Sequence, residues 1–127
     1  NSLHQICHDE AVPQPMVHGA VTFMMGQFAQ FLTTLKSIPE GDGTLLDHCS
    51  ILGTTELSEG NRHSNDEFPV IIAGGGGGRL NTGLHIRRRD QNASLAGLTA
   101  LRGAGIPANS FGLGPGRVET PIEELIV

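Results

Sequence analysis

The sequence predicts a small α/β layer structure, and three observations carry that prediction. Apolar residues recur at three- and four-residue spacing from Met16 to Ser37; two short β-rich runs follow, Ser50 to Thr55 and Phe68 to Ala73; and a second helical segment spans Ser94 to Ala104. Helix, strand, strand, helix in that order argues for helices laid against a sheet of few strands. A length of 127 residues suits one domain with a single modest core.

The elements can be justified in order. Residues 1–15 are polar and carry histidines, and Pro13 and Pro15 remove backbone donors just ahead of the first long periodic segment. Between Met16 and Ser37, Val17, Ala20, Val21, Met24, Phe28, Phe31, Leu32 and Leu35 fall on one stripe of a helix. Pro39 stops that helix, and Gly41-Asp42-Gly43 supplies a turn. Thr44-Leu45-Leu46-Asp47 reads as one helical turn leading into the strand Ser50 to Thr55. The run Phe68 to Ala73 is continuously apolar, as in a strand covered on both faces of a parallel or mixed sheet, with Pro69 tolerated only at its start. Leu84 to Arg87 is a candidate edge strand. Ser94 to Ala104 reads as a helix with Asn92 or Ser94 as N-cap and Gly105 closing its end. Thr120-Pro121-Ile122-Glu123 has the form of a capping box with proline at the first helical position, which predicts a short terminal helix.

Composition excludes several function classes. The net charge is −5, and the one cationic cluster, Arg87-Arg88-Arg89, is followed at once by Asp90, so a phosphate-tracking nucleic-acid surface is not expected. No apolar run approaches the ~20 residues that cross a bilayer. The start Asn-Ser-Leu-His has no initiator Met and none of the features of a signal peptide, so the chain reads as a piece of something longer. Aromatic residues make up only 4 %, with no Trp or Tyr, which leaves a thin core of Leu, Ile, Val, Met and five Phe. Two cysteines, Cys7 and Cys49, do not define a disulfide framework or a zinc knuckle.

Three features could carry chemistry. The first is the run of glycines from Gly74 to Gly78. A Walker-type phosphate loop needs Lys-Ser or Lys-Thr after its glycines, but Arg79-Leu80 follows here, and no helix opens on them as a dinucleotide site requires. The plainer reading is a permissive backbone leaving a buried strand. The second is His4 and His8 with Asp9 beside them. Four residues apart on a helical turn, the two imidazoles point the same way, a geometry that suits one metal ion and also suits a solvated helix end. The third is the loop after the first strand, where Glu56, Glu59, Asn61, Arg62, His63, Asp66 and Glu67 crowd together; ligands of α/β sheets gather at strand carboxyl ends, although polar loops are also simply solvated. His18 reads as packed or exposed rather than as a ligand. Cys7 reads as a small packing residue, since a thiol nucleophile needs an oriented base.

These stretches together resemble a known family. Leu3-His4-Gln5-Ile6-Cys7-His8-Asp9, then Ile38-Pro39-Glu40-Gly41-Asp42-Gly43-Thr44-Leu45-Leu46-Asp47, then Gly60-Asn61-Arg62-His63-Ser64, then Pro69 to Gly78 look like the C-terminal part of the HXXSHH-motif family, exported bacterial proteins of unknown function. Two positions depart from the naming motif: Cys7 stands for its serine and Asp9 for its last histidine. The family is in turn similar to the alkaline phosphatase and sulfatase superfamily. That resemblance implies the C-terminal portion of an alkaline-phosphatase-like three-layer sandwich, a mixed sheet flanked by helices, with the N-terminal half absent from residues 1–127. It implies a metal-dependent hydrolase acting on phosphate or sulfate esters, located in the periplasm or outside the cell. His4, His8, Asp9, Glu56 and His63 would be the metal ligands, for zinc first, with calcium or magnesium as alternatives. Glu56 stands where the superfamily has an Asp-His pair, so one imidazole is missing there, and the superfamily's nucleophile lies upstream of this segment. The competing expectation is a degenerate relative that serves as a structural or binding subunit, partnered by the missing half or by another protein.

Overall fold

A computed structural model describes residues 2–127. Among them are four α-helices and two small antiparallel sheets, so the chain is a small α/β domain.

Helix α1, Leu3–Asp9, begins where the Ser2 hydroxyl accepts the Gln5 N–H at 3.2 Å. Helix α2, Pro15–Ser37, begins with proline at its first position, and its start is capped from outside. Both Glu10 carboxylate oxygens accept from α2, one from Met16 N–H at 2.9 Å and one from Val17 N–H at 3.0 Å. A carboxylate there satisfies two orphan donors and opposes the positive end of the helix dipole. Val17, Ala20, Phe28, Leu32 and Leu35 form its half-buried stripe, while Val21, Met24 and Phe31, expected on the same stripe, are exposed.

After α2, strand β1 (Pro39–Glu40) turns back on β2 (Gly43–Thr44), and α3 (Leu45–His48) follows directly. The Asp47 carboxylate reaches back to accept from the Thr44 N–H at 2.8 Å and hydroxyl at 2.7 Å. Strand β3, Ile51–Thr54, pairs with β4, Val70–Ala73, with Ile51 opposite Ala73 and Thr54 opposite Val70. Helix α4, Ser94–Gly103, buries Ala96, Gly97, Leu98 and Thr99. Its start is held by Asn92, whose side-chain oxygen accepts the Ser94 N–H at 2.9 Å.

Helices α2 and α4 each reach one face of the β3–β4 ribbon, leaving both faces only partly covered. The Phe28 ring of α2 lies over Gly53, where a side chain would come within 3.1 Å of it. Alternation turns the neighbouring Leu52 and Thr54 to the other face, toward Ala96 and Gly97 of α4. The Ser50 hydroxyl ties that face further, donating to the Ala100 carbonyl at 2.8 Å. The small residue at Gly97 admits the Phe111 ring, which a Cβ would overlap. The fully buried side chains are few, Leu98 and Thr99, with Leu80 and Ala96 nearly so.

Four expectations need correction. The apolar run ending in β4 pairs antiparallel with β3 in a two-stranded ribbon, where a parallel or mixed sheet was expected. Ile71 stays 37 % exposed, so the continuous apolar pattern overstates how far β4 is covered among the described residues. Leu84 to Arg87 is not a strand: Arg87 is drawn to Glu67 and Arg88 to Glu124 by ion pairs, and it is Leu80 that bridges Ile126. The terminal helix is one 3-10 turn, Glu123–Leu125, because Pro121 is buried and the Ile122 N–H donates to Thr99 on α4 at 2.8 Å. The N-cap position of α4 falls on Ala93, although Asn92 supplies the capping oxygen.

Candidate metal centre

The candidate centre forms where α1 meets the loop between β3 and β4. That loop is tightened by its own polar residues. Glu59 and Ser64 form an isolated bridge, the Ser58 hydroxyl donates to the Ser64 carbonyl at 2.8 Å, and Arg62 pairs with Glu59 at 2.6 Å. Its tip places His63 at a φ of 52°, in the left-handed region that non-glycine residues rarely occupy. Such strain persists only where surroundings fix it.

The fixing comes from α1. The Asn61 side-chain amide donates to the Cys7 carbonyl at 3.3 Å and to the His8 carbonyl at 3.2 Å, two acceptors near the α1 C-terminus that lack helical partners. Gln14 serves the same helix end, donating to the carbonyls of Cys7 and Glu10 at 3.1 and 3.0 Å. Gly60 lies so close to Cys7 that a Cβ on it would stand 3.2 Å from the sulfur.

With the loop clamped in this way, His63 Nε2 lies 3.2 Å from His8 Nε2. The His8 and His63 ring centroids are 5.1 Å apart, and those of His4 and His8 are 4.8 Å apart, both edge-to-face. Three imidazoles from two separate elements therefore meet in a row. His4 and His63 are exposed and His8 is half-buried, so the row opens to solvent.

Asp9 and Glu56 are placed otherwise. Asp9 accepts from the Gln5 side chain at 2.8 Å along α1, and Glu56 is exposed with no side-chain hydrogen bond among the described residues. Among the described residues no three His, Cys, Asp or Glu side chains stand together as a metal-holding group. What the fold brings together is the His8–His63 pair with His4 beside it. Two neighbouring acids are already engaged, Glu59 with Arg62 and Glu67 with Arg87, whose hydrogen bonds hold the Glu67 carboxyl below its ordinary range.

The glycine run does different work. Gly75, Gly76 and Gly77 donate their N–H groups to the carbonyls of Leu46, Cys49 and Asp47 at 3.2, 2.9 and 2.9 Å, and Gly78 donates to Gly75. These donors close the C-terminal end of α3 and are not free to cradle a phosphate. Side chains are excluded by close approach: a Cβ on Gly76, whose φ is 57°, would overlap the Gly103 carbonyl. The apolar cleft of about 210 Å³ between β3, β4 and α4 contains no acid or base, only residues such as Leu52, Phe68, Val70 and Phe111.

Sequence reasoning singled out His4, His8 and His63 but missed the groups that bring them together. Asn61 counted only as one polar loop residue among many. Glu10 had a legible signal, an acid just ahead of a Pro-initiated helix, whereas Gln14, at a φ of 55°, had none. No protein-family model, curated protein or solved structure matches this chain.

Proposed function

We propose that the chain supplies a histidine-based site for a divalent transition metal, as part of a metal-dependent hydrolase of phosphate or sulfate esters that works outside the cytoplasm. The observation that carries the metal reading is the 3.2 Å separation of His8 Nε2 and His63 Nε2. Two imidazole nitrogens bound to one tetrahedral zinc, each at ~2.0–2.1 Å, lie roughly 3.3 Å apart. The pair therefore already has the spacing of two ligands to one ion.

The donor set narrows the earlier choice of metals. Imidazoles favour zinc, nickel or copper over calcium and magnesium, which take oxygen ligands. His8 and His63 would be the ligands, with His4 adjacent to turn in; Asp9 and Glu56 would have to leave their present positions to join. In the unliganded pair the two Nε2 atoms stand at hydrogen-bond distance, one as donor and one as acceptor, and binding one ion through both would require the donor ring to carry its proton on Nδ1 instead. Asn61 and Gln14 hold the α1 end and the loop in register. A bound metal would supply Lewis-acid stabilisation of charge developing on an ester oxygen. This segment offers no activated nucleophile, so the reading requires that group from elsewhere, as it does the strands that would extend β3–β4 into an alkaline-phosphatase-like sheet.

Equilibrium dialysis against zinc tests the site. Wild-type protein binds zinc, and His8→Ala and His63→Ala each weaken binding by at least about tenfold. His63→Gly separates the site from the fold, because glycine accepts the left-handed backbone without strain yet brings no ligand. Zinc binding unaffected by His63→Gly would remove the reading.

A second reading, a degenerate relative acting as a structural subunit, is favoured by α2. From Pro15 to Leu35 this helix carries no Asp, Glu, Lys or Arg, and Phe23, Met24, Met25 and Phe31 are 67, 47, 44 and 47 % exposed. A helix apolar on more than one face belongs under cover. In this reading the cover is a protein partner, and no helix of the described residues is long and apolar enough to cross a membrane. Absence of zinc binding together with a stable complex through α2 would establish this reading over the first.

A further inference from the structure

We propose that Arg79 and Arg102 form a binding site for a small organic acid, separate from the histidine row. Both line one open cleft of about 320 Å³, shared with Ile106, Pro107 and Asn109.

Arg79 directly follows the glycine run, and Arg102 sits in the last turn of α4. Backbone carbonyls fix both guanidiniums. Arg79 donates to the Gly76 carbonyl at 2.8 Å; Arg102 donates to the carbonyls of Ala108 and Glu119 at 3.2 and 3.1 Å. Of five N–H donors on each guanidinium, Arg79 spends one and Arg102 two. Arg62, Arg87, Arg88 and Arg117 each meet a glutamate, but among the described residues neither Arg79 nor Arg102 has a carboxylate within ion-pair distance. Two oriented, unneutralised guanidiniums in one cleft of a chain with net charge −5 form a local positive site.

Glycines let the backbone lie close against the Arg79 guanidinium. A Cβ on Gly105, whose φ is 79°, would lie 3.4 Å from the Arg79 guanidinium carbon, and one on Gly77 would lie 3.0 Å from its terminal nitrogen. The remaining donors form forks suited to a carboxylate or phosphate head. Ile106, 49 % exposed, and Pro107 offer an apolar wall for a short hydrocarbon body, and the Asn109 amide stands at the rim. The shared ligand chemistry is an oxyanion on an apolar body.

Nuclear magnetic resonance titration of the full chain with benzoate, phenyl phosphate and inorganic phosphate tests the proposal. Benzoate or phenyl phosphate is expected to move the amides of Arg79, Gly105, Ile106 and Asn109 saturably, with a Kd on the order of 1 mM or below. Arg79→Gln is expected to raise that Kd roughly tenfold, with Arg79→Lys intermediate, while Arg89→Gln, outside the cleft, leaves it unchanged. Arg102→Gln also gives up two structural hydrogen bonds, so the Arg79 variants decide. Shifts spread over Arg87 to Arg89, no saturable shift at the cleft, or wild-type affinity in Arg79→Gln would overturn the site. Inorganic phosphate binding as tightly as phenyl phosphate and benzoate would overturn its organic-acid class. None of these outcomes depends on whether His8 and His63 hold a metal.

Discussion

The Thr99 hydroxyl is fully buried and donates to the Leu95 carbonyl at 2.6 Å while accepting the Ile122 N–H at 2.8 Å. One oxygen thus fastens the last segment of the chain to α4. Thr99→Val keeps the shape but leaves the Ile122 N–H without its partner, and it should cost about 1–3 kcal/mol in denaturant unfolding, against less for Thr99→Ser. Wild-type stability in Thr99→Val would mean the terminal segment is not held there. At this scale the sequence was legible where chemistry depends on residue type and opaque where it depends on long-range contact. His4 and His8 could be paired by helical spacing alone, and α1 bears that out in geometry. Their meeting with His63 depends on Asn61 reaching across 53 positions to His8, and no local pattern encodes such a contact. The use of Thr99 by Ile122 is equally silent in sequence.

Short elements here are held by side chains as much as by backbone. Helix α3 has only four residues, and the Asp47 carboxylate accepts from both Thr44 donors, which holds its pKa below the ordinary carboxylate value. A depressed folded pKa contributes stability that is present above the unfolded value near 3.8 and is lost as pH falls through the folded one. The carbonyls of Leu46, Asp47 and Cys49 in turn receive the glycine run. Amide exchange at Gly75 to Gly77 should therefore accelerate as pH drops below about 4, beyond the intrinsic pH dependence. Asp47→Ala should show the faster exchange already at neutral pH, with the difference from wild type closing in acid. Equal exchange at neutral pH would separate α3 from the loop. Helix α2 and helix α4 were legible because both are long and periodic, with proline or glycine at their limits. The apolar run of β4 was legible as a strand, yet its pairing was not, since an uninterrupted apolar pattern reports cover and not strand direction. The terminal capping-box pattern was outcompeted when Thr99 took the Ile122 N–H.

For the whole molecule the shortage of cover is the governing fact. Among the described residues Leu98 and Thr99 are the large side chains that are fully buried, the β3–β4 ribbon has unpaired outer edges, and α2, uncharged from Pro15 to Leu35, leaves Phe23 67 % exposed. Two-stranded ribbons are marginal alone, and open edges invite pairing. The chain on its own should therefore self-associate, and Phe23→Glu should shift it toward monomer in sedimentation while changing stability by no more than about 0.5 kcal/mol. Unchanged association would place the contact elsewhere. The thin core was legible in the scarcity of aromatic residues, whereas the exposure of α2 was not, because apolar residues at helical spacing do not say which of them a neighbouring element will cover. The central claim is that His8 and His63 share one metal ion, and X-ray absorption at the zinc edge of zinc-loaded protein tests it most directly. The account predicts at least two imidazole nitrogens at ~2.0–2.1 Å, with one fewer in His63→Gly. A shell of oxygen ligands alone, or an imidazole count unchanged in His63→Gly, would contradict it.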